Sequence, residues 1–275
     1  METIHLIVNA DDYGRTPGVS QGIREAHLRG IVTSTTAMMN MPGVEAELQR
    51  AMRETPNLGL GVHLVLTSGA PFLPAAQVST ITNGRGRFPS QQEFLAKLKS
   101  VDENQVAAEW DAQIRCFIKI VGRNPDHLDS HHHTSYYSES LFDAFLGMAR
   151  KYRCAIRSPL PCPSGNCDGL PPEIAEMARE FVPRLNLQFK PARPDWFIGT
   201  FYYEQATVEQ LMLILEGLKP GVSELMCHPG FADPALMEGS GYNRPREREL
   251  AILTSKPIRK EMERRGIHLI NFGNL

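Results

Sequence analysis

The chain of 275 residues is 42% hydrophobic and 22% charged, with 29 lysines and arginines against 31 aspartates and glutamates and a formal net charge of -2. This composition excludes a disordered chain and leaves ample apolar material for a core. It lacks the basic excess of a nucleic-acid or anionic-membrane binder, and its apolar runs fall far short of the ~20 residues of a membrane span.

The amino-terminal segment, METIHLIVNADDYG, has no basic stretch and no cleavage site of small residues, so it reads as a first strand over Ile4 to Asn9 and not as a signal peptide. Pro17 to Arg29 predicts a helix, with Thr16 as its cap and Gly30 beyond its end. A strand over Val32 to Met39, a helix over Pro42 to Arg53 and a strand over Leu58 to Leu66 follow. Ser68 to Pro89, rich in glycine and proline, fits no long element and reads as a lid or a contact surface. Helices are expected at Gln91 to Lys99 and Glu103 to Val121, a short strand at His127 to Ser130, a helix at Glu139 to Tyr152 and a short strand at Cys154 to Arg157. After the loop PLPCPSGNCDGLPP come helices at Pro172 to Phe181 and Thr207 to Leu218, separated by an aromatic loop. A strand at Ser223 to Cys227, helices at Arg246 to Ser255 and Pro257 to Arg265, and a strand at Ile267 to Phe272 complete the order.

About seven βα units without a linker predict a (β/α) barrel, TIM-like and incomplete or distorted, as a single domain over residues 1–275. An open doubly wound sheet is the alternative, but no Gly-x-Gly-x-x-Gly follows the first strand. Cys116, Cys154, Cys162, Cys167 and Cys227 are odd in number and scattered, which reads as reduced thiols in a cytoplasmic protein; only Cys162 and Cys167 flank a turn that a disulfide could close.

Polar residues collect near the carboxyl ends of the expected strands: Asp11 and Asp12 after the first, His63 in the third, His127, Asp129, His131, His132 and His133 around the fourth, and His228 after SELMC. In a (β/α) barrel these ends share the face that carries active sites. Taken singly, an Asp-Asp pair is often a cap, a strand histidine is usually core, and three histidines in a row are as often surface. Taken together, imidazole and carboxylate groups on one rim are the ligands of a divalent metal, with spare groups for acid and base work. His127, Asp129, His131 and His133 alternate, so an extended backbone would turn them to one side.

The segments IVNADDYG, GIVTSTTAMMN, GVHLVLTSG, PDHLDSHHH and ELMCHPG, with the later pattern Ser240, Tyr242, Arg246, Glu249, Leu250 and Leu253-Thr254-Ser255, resemble the YdjC-like carbohydrate deacetylases over the full length of the chain. The resemblance implies a metal-dependent hydrolase that removes acetyl groups from N-acetylglucosamine units of chito-oligosaccharides, such as diacetylchitobiose or its 6-phosphate, a step in chitin degradation. It implies one divalent ion, magnesium or zinc, on Asp12, His63 and His131, with Asp11 as general base and His228 as acid. His127, Asp129 and His133 would support the ligands or the substrate. Of the aromatics Trp196, Phe197, Phe201, Tyr202 and Tyr203 in the loop after Pro194, one or two would stack on the sugar, and Arg157 and Arg246 would offer forked donors to a sugar hydroxyl or phosphate, with an ordinary surface salt bridge as the alternative for each. The partner would be an acetylated amino-sugar oligosaccharide, with no nucleic acid and no membrane, and a homodimer is compatible with the family. Another N-acetylated sugar or a glycolipid, a metal-dependent phosphoesterase, and a non-catalytic sugar-binding protein stand as alternatives.

Overall fold

The computed structural model describes residues 3–158 and 172–275. Cys162, Cys167 and their loop lie outside the described residues; Cys116, Cys154 and Cys227 are free thiols.

Strand β1 (Ile4–Tyr13) is the axis of the molecule. Its apolar residues Leu6, Ile7, Val8 and Ala10 are fully buried, as a strand covered on both faces requires. It is followed by α1 (Pro17–Arg29), β2 (Ser34–Ala37), α2 (Val44–Glu54), β3 (Gly59–Leu64), α3 (Gln91–Ala96), α4 (Glu103–Val121), β4 (His127–Ser130), α5 (Glu139–Tyr152) and β5 (Ala155–Ile156). The second half comprises α6 (Pro172–Phe189), β6 (Trp196–Ile198), α7 (Val208–Glu216), β7 (Gly221–Cys227), α8 (Pro234–Gly239), α9 (Arg244–Leu253), α10 (Lys256–Arg265) and β8 (Ile267–Leu269). Side chains cap the helices where the sequence places them: Thr16 accepts from the Val19 N–H, Asp102 from that of Asn104, Ser138 from that of Leu141 and Thr207 from that of Gln210.

All pairings among the described strands are parallel, in the order β5-β4-β3-β2-β1-β7-β6, with β8 against the first residues of β1. The sheet curls into an incomplete TIM-like barrel. Among the described residues no ladder joins β5 to β6, and one bond, Ile156 N–H to the Ala192 carbonyl at 2.9 Å, spans that side. Trp110 of α4 packs edge-on against Phe145 of α5, and burying a side chain such as Phe145 stabilises the fold by ~1.5–3 kcal/mol.

Three expectations need correction. Trp196–Ile198 is a strand and not part of a loop, because it pairs with Ser223–Leu225 of β7. The segment 68–89 is strapped to the body: Glu109 accepts the Phe72 and Leu73 N–H groups at 2.9 and 3.0 Å, Gln105 accepts from Thr80, and Val78 and Ile81 are fully buried. No residue of this segment lines the pocket described below. The alternation that began at His127 ends at His131, since His132 and His133 take left-handed φ of 55° and 57° in a 3-10 segment (His131–Tyr136).

Candidate active site

The carboxyl ends of the strands surround a pocket of about 230 Å³. Asp11 and Asp12 are consecutive in β1, and neighbours in a regular strand face opposite ways. Here the register of β1 against β2 slips between Ala10 and Tyr13, and Asp12 has φ 71°. This irregularity turns both carboxylates toward the pocket, a use of strand bulges common beside active sites.

Asp12 Oδ1, His63 Nε2 and His131 Nδ1 lie 3.2–3.5 Å from one another. Donors about 2.0–2.2 Å from a shared cation, at tetrahedral to octahedral angles, sit roughly 3.0–3.5 Å apart. Asp12 Oδ1 is buried and has no hydrogen-bond donor among the described residues, which is how a ligand oxygen would stand. His63 Nδ1 lies 2.7 Å from Asp129 Oδ1. With its proton donated there, the neutral ring turns a lone pair on Nε2 toward the other two donors. Burial draws His63 down, but the Asp129, Asp11 and Asp12 carboxylates outweigh it and raise the imidazole, so the field at this point favours positive charge. The residues present therefore fit a divalent ion. A second grouping, Asp11, His63 and Asp129, suits one less well, because Arg157 already neutralises both of its carboxylates.

Arg157 differs from expectation. It is fully buried and grips Asp11 through both terminal nitrogens at 2.7 Å, Asp129 at 3.0 Å and Glu224 at 2.7 Å. No face of it is left for a sugar. Burial alone would raise the Asp11 carboxyl, yet the Arg157 guanidinium holds it well below the usual carboxylate range. Asn9 adds a donor to Asp11 Oδ1 at 2.9 Å, and His127 Nε2 lies 2.9 Å from Asn9 Oδ1. His127 is thus two contacts from the pocket, stacked on Phe272 at 3.7 Å.

His228 Nε2 stands 3.9 Å from Asp11 Oδ2. Burial lowers this imidazole to about 4, so it is neutral near pH 7. Arg246 donates to Asp12 through one nitrogen and to the Tyr242 carbonyl through another; with Arg157 it would be wrongly read as a surface residue, being 2% exposed. Burial raises the Asp12 carboxyl, and Arg246 and His131 outweigh that and hold it low. His133 lines the pocket between Tyr136 and Phe197 despite the broken alternation. His132 also reaches it, with Nδ1 3.0 Å from Thr67 Oγ1.

Trp196 does not reach the pocket. It begins β6, level with Ser223 of β7, and Lys219 lies 4.9 Å over its ring. The aromatic wall is instead Tyr202 and Tyr242, stacked at 4.3 Å. Arg15 and Gln91 line the pocket with no signal in the sequence. Glu224 was open to detection as a carboxylate inside the apolar strand β7.

The family model described as YdjC-like protein matches residues 5–264. The chain belongs to the YdjC-like family. It is 38% identical to a carbohydrate deacetylase of Enterococcus faecalis, across 100% of this chain and 99% of that protein. A chitooligosaccharide deacetylase of Yersinia pestis is 34% identical, across 97% of each. A crystal structure from Enterococcus faecalis V583, named provisionally as a cellobiose-phosphate cleavage protein, matches with a TM-score of 0.86 and 38% identity, covering 99% of this chain and 98% of the other. Among the described residues no helix is long and apolar enough to cross a membrane.

Proposed function

We propose that the protein is a carbohydrate N-deacetylase that releases acetate from N-acetylglucosamine units of chito-oligosaccharides, diacetylchitobiose or its 6-phosphate among them. One divalent cation, magnesium or zinc, would be held by Asp12, His63 and His131. The observation that carries this reading is the trio of convergent donors, one of them an orphaned buried oxygen, beside an ionised carboxylate and a neutral imidazole. The names of the Enterococcus and Yersinia relatives support the substrate class.

A divalent ion in such a site supplies a more acidic water and polarises a carbonyl oxygen. Asp11 is the base, kept ionised by Arg157. It accepts the proton of the attacking water at Oδ2, the oxygen that faces His228. His228 Nε2, 3.9 Å from that oxygen, is placed to take the proton on. His228 then delivers it to the nitrogen of the departing amine, since a neutral imidazole must first be charged to serve as an acid. Asp129 holds the His63 ring, and Arg246 holds Asp12. Tyr202, half-buried and backed by the stacked Tyr242 ring, offers an apolar face to a pyranose ring.

The test is acetate release from diacetylchitobiose, its 6-phosphate and longer oligomers, with inorganic phosphate followed in parallel. Acetate from at least one substrate supports the reading. Phosphate in place of acetate would favour a phosphoesterase, and neither product from any substrate would overturn it.

A further inference from the structure

We infer that Glu249, on α9, is the positioning residue for His228 and couples that imidazole to the aromatic wall of the pocket. The inference rests on the deacetylation proposed above, because it takes His228 as the group that protonates the leaving amine.

A histidine that moves protons is ordinarily aligned through its second ring nitrogen. In His228 that nitrogen, Nδ1, is buried and has no hydrogen-bond partner among the described residues. Alignment therefore comes from the backbone and from the ring faces around it, and Glu249 acts on both. Glu249 is fully buried. One carboxylate oxygen accepts the His228 backbone N–H at 2.5 Å, and the other accepts the Tyr242 hydroxyl. The Tyr242 ring stands edge-on to the His228 ring at 5.6 Å, and Tyr202, stacked on Tyr242, lies 5.0 Å from the same imidazole. The Tyr242 carbonyl also accepts from Arg246, the residue that holds Asp12. One carboxylate thus ties the strand end that carries the acid to the wall that meets the sugar. Burial pushes this carboxyl up to about 7, a cost that a neutral acceptor filling the same space would avoid.

The leaving group separates this role from a merely structural one. An amide needs its departing nitrogen protonated, whereas an aryl acetate releases a stable phenolate without an acid. The experiment measures kcat and KM for diacetylchitobiose and for an aryl acetate in wild type, Glu249→Leu, Glu249→Gln and Tyr242→Phe, with thermal unfolding of each. Glu249→Leu removes both acceptors. It is expected to lower kcat on the amide about 100-fold, the lower range for loss of an acid–base group, with KM and aryl acetate turnover within about threefold. Glutamine keeps a carbonyl for the His228 N–H, and phenylalanine keeps the ring. Both are expected to lower amide turnover about threefold to tenfold with the same selectivity. If the leucine variant does not fold, the other two decide. Parallel loss on both substrates in folded variants, or amide turnover unchanged in all of them, overturns the inference while wild-type activity stands. A wild type that releases acetate from neither substrate overturns the deacetylation reading as well.

Discussion

Replacing Asp129 by asparagine tests how the proposed ligand His63 is held. Asp129 is fully buried; Oδ1 receives the His63 Nδ1 proton at 2.7 Å, and Oδ2 receives the Thr36 hydroxyl and an Arg157 nitrogen, each at 3.0 Å. An asparagine has the same shape but one acceptor oxygen and one NH2 group. With the oxygen on His63, the NH2 group faces the guanidinium; flipped, it faces the His63 N–H. Either arrangement leaves a buried donor without an acceptor, at a cost of ~1–3 kcal/mol. Removing the carboxylate behind a ligand histidine typically weakens metal binding ~10–100-fold, which is about 1.4–2.8 kcal/mol. The two magnitudes agree, so most of the penalty is expected to appear as lost affinity. Titrating metal-free protein with zinc or magnesium against a competing chelator reads it directly. Asp129→Asn should raise Kd by about 10–100-fold and recover acetate turnover at high metal. An unchanged Kd would refute the argument that Asp129 orients a coordinating His63.

Asp11→Asn should lower turnover by ~10²–10⁴ with metal content near wild type, since Arg157 keeps Asp129 and Glu224 as partners; loss of the metal would exchange the roles of Asp11 and Asp12. Gly61→Ala would set a methyl 2.6 Å from the His127 ring and carbonyl, and overpacking of that kind should cost ~1–3 kcal/mol; an unaltered Tm would contradict the close approach of β3 and β4. Burial lowers five imidazoles, His127, His131, His132, His133 and His228, whereas His63, Glu109, Glu224 and Glu249 are raised, Glu224 and Glu249 to about 7. A lowered imidazole is charged in the unfolded chain while still neutral in the folded one, so its contribution is lost as pH falls below 6.5. A raised group works the other way, and its contribution is lost as pH rises through its folded value. Below pH 6.5 His63 is protonated in both states, so five imidazoles stand against three carboxyls; the unfolded chain binds more protons, and the Tm of the metal-free protein should rise from pH 4.5 to 6.5. A flat or falling Tm over that range would count against the buried neutral histidines.

Much of the site was legible because its groups hang on strand ends. IVNADD, GVHL, HLDSH and ELMCH each join an apolar run to a histidine or carboxylate of the pocket, and a barrel brings such ends to one rim. What escaped depends on contacts between distant segments. Arg157 follows a two-residue strand and has no local partner; its three carboxylates come from β1, β4 and β7. Trp196–Ile198 is too short for a periodicity and follows Pro191 and Pro194, so only pairing with β7 makes it a strand. Alternation failed at His132 because the chain abandons extended backbone there, and no residue type in HHHT signals two left-handed positions. Glu249 stood in plain view within the pattern after Arg246, but its partner is the backbone of His228, twenty-one positions earlier.

The most direct test of the account is acetate release from diacetylchitobiose by protein as purified, after a chelator, and after one equivalent of divalent ion is returned, in wild type and in His63→Ala. The account predicts that chelation abolishes release, that one equivalent per chain restores it in wild type, and that His63→Ala stays inactive at that stoichiometry. Full acetate release by chelated protein of confirmed zero metal content, or by His63→Ala with a single ion, would contradict it.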